Sequence, residues 1–596
     1  MAKTLLGSSD KTNFIVNMTE DQYAKYASFG LIAACFTTSL AAIIPEVTDD
    51  NTYSICATGL AVSGVLCLVL ALIAVIKKFV SGSVIVPAAA FAAMLGWGGL
   101  SLAKSYDMNV GFYGFPQRGE GMLALLFYFG IFVTAASLRR KKAVNALLAG
   151  IVGTGLLNAV WALIQIFTGK LLFYAYTDIS VSVLAVSPSG LSQSPIFLAM
   201  VLTLALTAAL VVSTTGETEK YRALATLCAF IFAFVIVFTR TLMGVAGLAI
   251  AVIAGISAVF IAKKPKERLM TVVVVLVSAG IGIAVAGTVK SGEEKGYHLY
   301  DGYILWEDDA WQRVSASGNY NSIIEASRRA DVDIKDTFDV YKFLNKEAID
   351  IIKRYPLEGT GPEQLVYPQI YTYGGLSENA PITDITMKNP GTFDKVYNEY
   401  LYTAATRGIP SLLFMLAVLA AVIVISIKKL RADACGVNTG AFLLTVCGCL
   451  VFMIGCSNIT FSPIFWACAG AACAALPKTE PAVVFKKKEG TKKSEKKASE
   501  KAFDETVKLS DDKKEGGSGM SAEIASDADQ SGEKPLESSE VKKPEKASVP
   551  AEDKGNRPLP KRQGSGKIPV SPSKQKTVPS MKQPAKSGKS KGKISK

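Results

Sequence analysis

One histidine, His298, occurs in the 596 residues of the chain. Catalysis that relies on several histidines, or a multi-histidine metal site, is thereby excluded. Ten cysteines occur, and none lies in the long polar stretch between residues 290 and 408. That placement argues against a disulfide framework, and the spacings match no zinc pattern. Most of these cysteines sit in apolar blocks, where they read as small hydrophobes packed between helices. Internal repeats are missing too, which weighs against a transporter built from repeated halves. No cleaved signal peptide is evident, because a polar N-terminus with Lys3, Asp10, Lys11, Glu20 and Asp21 precedes the first apolar block.

What the chain has in abundance is apolar length. Half of its residues are hydrophobic, and they fall in blocks of about twenty, the length needed to cross roughly 30 Å of hydrocarbon. The expected fold class is an all-α polytopic membrane protein of about twelve transmembrane helices. The expected organisation is a cytoplasmic N-terminus at 1–26, helices one to nine at 27–289, a large, mostly helical extracytoplasmic loop at 290–408, helices ten to twelve at 409–477, and a tail at 478–596.

The net charge of +14 is distributed in a way that sets orientation. Lys77-Lys78, Arg139 to Lys142, Lys220 with Arg222, Lys263 to Arg268, and Lys428-Lys429 with Arg431 all fall in alternate loops. These loops are expected inside, together with both termini. The tail is rich in Lys, Glu, Ser and Pro and is expected to be disordered. Its basic end invites contact with anionic lipid. Nucleic acid is not an expected partner, because no stacking aromatics are interleaved with the charge.

Within the apolar field from Ala223 to Ala262, Arg240 is the only charge. An arginine at midplane costs about 2.5–3.5 kcal/mol on insertion scales. The run is too long for one span and fits two, joined by a tight turn at Thr239-Arg240-Thr241. Arg240 is then expected at the outer boundary. Arg118, in GFYGFPQRGEGMLALLFYFG, is expected at the same depth. Two guanidiniums there suit a phosphate or diphosphate, whose oxygens match their forked donors.

The polar loop adds two motifs. In RYPLEGTGPE, Gly359, Gly361 and Pro362 end a helical segment and form a turn whose backbone can approach a ligand. In VYNEYLYTAATRGIPSLL, Tyr397, Asn398 and Glu399 lie at the outer end of a helix that runs into the tenth span, and Gly408 and Pro410 mark where it meets the membrane.

Taken in order with SPSGLSQSPIFLAMVLTLAL and FTRTLMGVAGLA, these pieces resemble the bacterial O-antigen ligase and Wzy-type O-antigen polymerase superfamily over roughly residues 25–477. The resemblance implies a glycosyltransferase of the bacterial cytoplasmic membrane that acts on its outer face. It implies an oligosaccharide donor on undecaprenyl diphosphate, and a glycan, lipid or protein acceptor. It gives Arg240 and Arg118 the diphosphate. A family histidine, followed by Asn and an acid, would take the acceptor's proton. Here that histidine position is Tyr397, followed by Asn398 and Glu399. A tyrosine with pKa near 10 is a poor base at neutral pH, so Glu399, another loop carboxylate or His298 would have to serve. Arg313, Arg328 and Arg329 are candidates for a further family arginine. No cofactor is implied, and arginines would make a metal unnecessary. The acidic runs Glu46, Asp49, Asp50 and Glu307, Asp308, Asp309 read as solvated loop faces. The alternatives are a transporter or flippase of lipid-linked glycans, and a non-catalytic envelope scaffold.

Overall fold

The structure, a computed structural model, describes residues 14–42, 55–115, 118–169, 187–192, 194–287, 297–300, 303–306, 337–373 and 393–475. The tail at 478–596, both acidic runs, and Arg313, Arg328 and Arg329 lie outside the described residues.

The described residues are almost wholly helical. In chain order the helices are α1 (Glu20–Ala41), α2 (Ile55–Ile76), α3 (Ile85–Ala103), α4 (Met108–Tyr113), α5 (Met122–Ala136), α6 (Lys141–Thr168), α7 (Pro195–Thr215), α8 (Glu219–Phe238), α9 (Leu242–Ile261) and α10 (Met270–Gly287). A short hairpin follows, β1 (Tyr297–Tyr300) with β2 (Tyr303–Trp306), antiparallel, with His298 opposite Leu305. Then come α11 (Thr337–Arg354), α12 (Val366–Tyr373), α13 (Glu399–Ala432), α14 (Gly436–Val451) and α15 (Ser462–Cys473). Eight of them, α2, α3, α6 to α10 and α13, are long and apolar enough to cross a membrane; α5, α14 and α15 are apolar but shorter. The protein is a polytopic α-helical membrane protein. The expected count of about twelve is finer than this: α1 occupies the first expected span but begins with Glu20, Asp21 and Lys25.

The helices start where side chains satisfy free backbone N–H groups. Thr19 and Gln22 form a reciprocal capping box at α1. Ser194 caps α7 ahead of Pro195, whose missing N–H is harmless in the first turn. Thr241 caps α9 by accepting from the Gly244 N–H at 2.9 Å.

α7 is the hub, buried along its length except at Val212. It packs against α6, α8, α9 and α14. The hydroxyls of Thr203, Thr207, Thr214 and Thr215 bond to carbonyls three or four residues back, so α7 buries them without an outside partner. Small residues let neighbours come close: a Cβ on Gly247 of α9 would collide with the Thr203 hydroxyl. Leading into α7, Ser187 to Ser192 is buried non-helical chain. Asn158 of α6 accepts from the Leu191 N–H at 3.1 Å, and Gln165 accepts from the Gly190 N–H at 2.8 Å. Irregular backbone is tolerated at such depth only when protein satisfies it.

At one end of the helix set the expected inside-loop charges meet. Arg139 pairs with Glu20 at 2.8 Å, Arg140 with Asp21 at 2.6 Å, and Lys141 with Asp433 at 3.0 Å. All ten cysteines are free, and eight are buried.

Candidate functional site

A break in α13 builds the site. Gly408 has φ 81° and ψ 164°, outside helical space, and Pro410 follows two residues later. Continuing the helix would require Ile409 N–H to bond to the Ala405 carbonyl. Position 410 has no N–H to offer the Thr406 carbonyl. Two orphan acceptors and one orphan donor therefore arise inside the protein, where they must be paired. The turn after α11 pairs all three. Thr360 N–H donates to the Ala405 carbonyl at 3.0 Å, Gly361 N–H donates to the Thr406 carbonyl at 2.8 Å, and Ile409 N–H donates to the Pro356 carbonyl at 2.8 Å. From α3, Trp97 Nε1 donates to the Leu357 carbonyl at 3.0 Å and Ser101 Oγ to the Glu358 carbonyl at 2.5 Å.

The glycines of this turn serve that docking. Gly359 has φ 68°, and a Cβ there would strike the Thr406 backbone. The close approach expected toward a ligand is an approach to α13. What the turn presents to the cleft is Pro362 and Glu363.

The cleft is lined on its polar side by Glu120, Glu363, Glu399, Arg407, Tyr128, Tyr402, Thr406 and Ser457. Lys395 Nζ lies behind this lining, 2.9 Å from Glu120 Oε2 and 2.7 Å from Glu363 Oε1. All three side chains are at most 4% exposed. The Lys395 ammonium also sits 4.3 Å from the centre of the Tyr402 ring, and the Tyr402 hydroxyl donates to Glu363 Oε1 at 2.5 Å. Glu120 accepts further bonds from Tyr128 Oη at 3.1 Å, Ser457 Oγ at 3.3 Å and Ser462 Oγ at 3.3 Å. Beside this group, Arg118 pairs with Asp394 at 2.6 Å. On α13, Arg407 Nη2 donates to Thr403 Oγ1 at 2.7 Å and stands 3.4 Å from Glu399 Oε1. The other oxygen of Glu399 accepts from the Ser457 N–H at 2.8 Å.

Four carboxylates, Glu120, Glu363, Asp394 and Glu399, thus share three cations, Arg118, Lys395 and Arg407. Burial pushes the Glu120 carboxyl above the usual carboxylate range, and Glu363 and Glu399 add to this against the pull of Lys395. Burial would lower the Lys395 ammonium, but Glu120 and Glu363 outweigh it and hold the pKa well above the usual lysine value. Arg118 is likewise held charged, with Asp394 and Glu363 overcoming its burial.

Each expected site residue has a definite place. Glu399 lines the cleft. Asn398 is the N-cap of α13, its Oδ1 accepting from the Tyr400 N–H at 3.1 Å and the Leu401 N–H at 3.2 Å. Tyr397 is buried with its ring 5.2 Å from that of Tyr341 and is not part of the cleft lining. Arg118 is engaged by Asp394, so a diphosphate there would compete with a carboxylate already in place. Arg240 forms the α8–α9 turn with a left-handed φ of 51°, is partly buried, and is not part of the cleft lining. The sequence motifs do not single out Glu120, Glu363, Lys395 or Arg407, although each sits inside or beside one of them. The available signal is charge within otherwise apolar or small-residue motifs. The pairing of Glu120 with Lys395, 275 positions apart, has no local signal at all.

Fold and cleft define a class: a multi-pass helical membrane protein with a buried ionic cleft where α5 and α13 begin. Residues 227–416 match the family described as O-antigen ligase. The match covers about a third of the chain, and over that segment the chain is similar to the O-antigen ligase family. No curated protein matches the chain.

Proposed function

We propose that the protein is a glycosyltransferase that transfers or polymerises oligosaccharide from undecaprenyl diphosphate on the outer face of the bacterial cytoplasmic membrane. One observation carries the reading: the O-antigen ligase segment supplies Glu363, Glu399 and Arg407 to the lining of one cleft, and Asp394 and Lys395 to the ion pairs behind and beside it. About twelve crossings, with both termini inside, put the cleft and the Arg240 turn on the outer side. The ion pairs around Arg139, Arg140 and Lys141 then face the cytosol.

In this mechanism an acceptor hydroxyl attacks the anomeric carbon while negative charge grows on the departing diphosphate. Arg240 meets that charge, and no metal is needed for the role. Arg118, already neutralised by Asp394, braces the chain next to Lys395. The cleft, with its surplus of carboxylates, suits a neutral hydroxylated acceptor better than a second anion. Its carboxylates accept hydrogen bonds from hydroxyls and one of them takes the proton.

The test is purified protein supplied with undecaprenyl-diphosphate oligosaccharide. Transfer or chain lengthening supports the reading, translocation alone means a transporter, and neither outcome means a scaffold. In cells, Arg240→Ala at unchanged protein level is expected to remove polymer from the surface, a loss on the order of 100-fold or more by analogy with lost oxyanion donors. Undiminished surface glycan in that strain would refute the role given to Arg240.

A further inference from the structure

Resting on the transferase reading above, we infer that Glu363 is the catalytic base, the group that takes the acceptor's proton in place of the histidine that Tyr397 replaces.

Three carboxylates line the cleft, and they differ in how many of their lone pairs are already used. A carboxylate offers about four acceptor sites. Glu120 receives four donors, two on each oxygen: Tyr128 and Ser462 on Oε1, Lys395 and Ser457 on Oε2. Glu399 is held through both oxygens, by Thr403 and Arg407 on one and by the Ser457 N–H on the other. Glu363 is held through one oxygen only. Lys395 and Tyr402 both bond to Oε1, and Oε2 has no hydrogen-bond partner among the described residues. Glu363 therefore combines an anchored orientation with an open acceptor on the cleft.

The backbone points the same way. Glu363 has φ 61°, the left-handed region, where a non-glycine residue is uncommon. Such strain, of order 1–3 kcal/mol, persists where the surroundings over-determine it and clusters at functional sites. Here the surroundings are the turn clamped to the broken end of α13 and the Lys395–Tyr402 grip. Arg407 also lines the cleft, with its Nη2 engaged by Thr403 and Glu399. An open acceptor on an anchored carboxylate in the cleft matches a hydroxyl that must give up a proton.

The step balances. The acceptor O–H proton moves to Glu363 Oε2. The freed oxygen pair forms the new bond to the anomeric carbon, and the bond from that carbon to the diphosphate oxygen breaks. Its electron pair leaves with undecaprenyl diphosphate, and Glu363 returns the proton to water before the next turnover.

Glu363→Gln keeps the side-chain length and an acceptor for Lys395 and Tyr402 but cannot take a proton. It is expected to lower transfer from undecaprenyl-diphosphate oligosaccharide by roughly 100-fold or more. Glu363→Gly suits the left-handed backbone and so protects folding; its lost transfer is expected to return in part with added formate, a small base that fills the gap. A Glu363→Gln protein that retains more than about one tenth of wild-type transfer, against that expected loss, overturns the assignment. So does a folded, inactive Glu363→Gly protein that ignores formate. If the wild-type protein itself transfers no sugar, the transferase reading fails and this inference with it.

Discussion

Two regions of this molecule are packed inside it by opposite means. α7 is enclosed on all sides with no charge, and its threonine hydroxyls bond within their own helix. The cleft wall and the ion pairs behind it gather four carboxylates and three cations, whose partners come from the chain before α5, the turn after α11, the approach to α13 and the chain before α15. In the first arrangement the polar groups are satisfied locally, within one helix. The second is cooperative, because removing one ion leaves another buried and unpaired. Stability at the core and stability at the site therefore respond differently to substitution.

The largest effect should come from Lys395→Met. It strands Glu120 and Glu363 together in the interior, a loss of about 3–5 kcal/mol by comparison with other broken buried pairs. The pH dependence follows from Glu120. Its carboxyl is held above the usual range, so the folded state keeps a proton that the unfolded chain has released. Stability from such a group falls as pH rises from the ordinary carboxylate range through the raised value. Without the opposing lysine this slope steepens. Thermal unfolding of the variant in detergent should therefore show it regaining stability on acidification. An unfolding midpoint that does not rise as pH falls toward the ordinary carboxylate range would count against a cooperative cluster.

Gly408→Ala should come next. The position has a backbone conformation nearly reserved for glycine, at about 1–3 kcal/mol for other residues, and the added Cβ would meet the Leu357 carbonyl. The turn that carries Glu363 should loosen, so transfer should fall along with the unfolding temperature. The smallest effect is Asn398→Ala, which removes the cap of α13 and about 1 kcal/mol; Asn398→Asp should restore the stability. Were the alanine and aspartate variants equally stable, the cap would not be what Asn398 supplies.

Much of the helical framework is legible in the amino-acid sequence alone. The turn at Thr239 to Thr241 falls between α8 and α9 as the length of the apolar run requires. The helical segment expected to end at the RYPLEGTGPE turn is α11, Thr337–Arg354. Gly408 and Pro410 mark a boundary in the sequence, and the break in α13 is there. The site is legible only as motifs. Glu399 stands out within its motif and lines the cleft. Glu363, four positions beyond Gly359, does not stand out, because nothing local distinguishes it from a solvated loop acid. Asn398 and Tyr397 group with Glu399 by adjacency, whereas at the start of a helix neighbouring side chains point in different directions.

The sequence by itself determined the polytopic helical class, since blocks of about twenty apolar residues have one low-energy form in lipid, a helix that satisfies its own backbone. It also determined the helix ends, because capping residues and glycines act on groups a few positions away. Only the tertiary structure decided which acids share Lys395, which arginine is engaged by Asp394 and which carboxylate keeps a free oxygen. Those outcomes depend on burial and on partners hundreds of residues apart, and the energy of a buried charge is set by what surrounds it rather than by what precedes it in the chain.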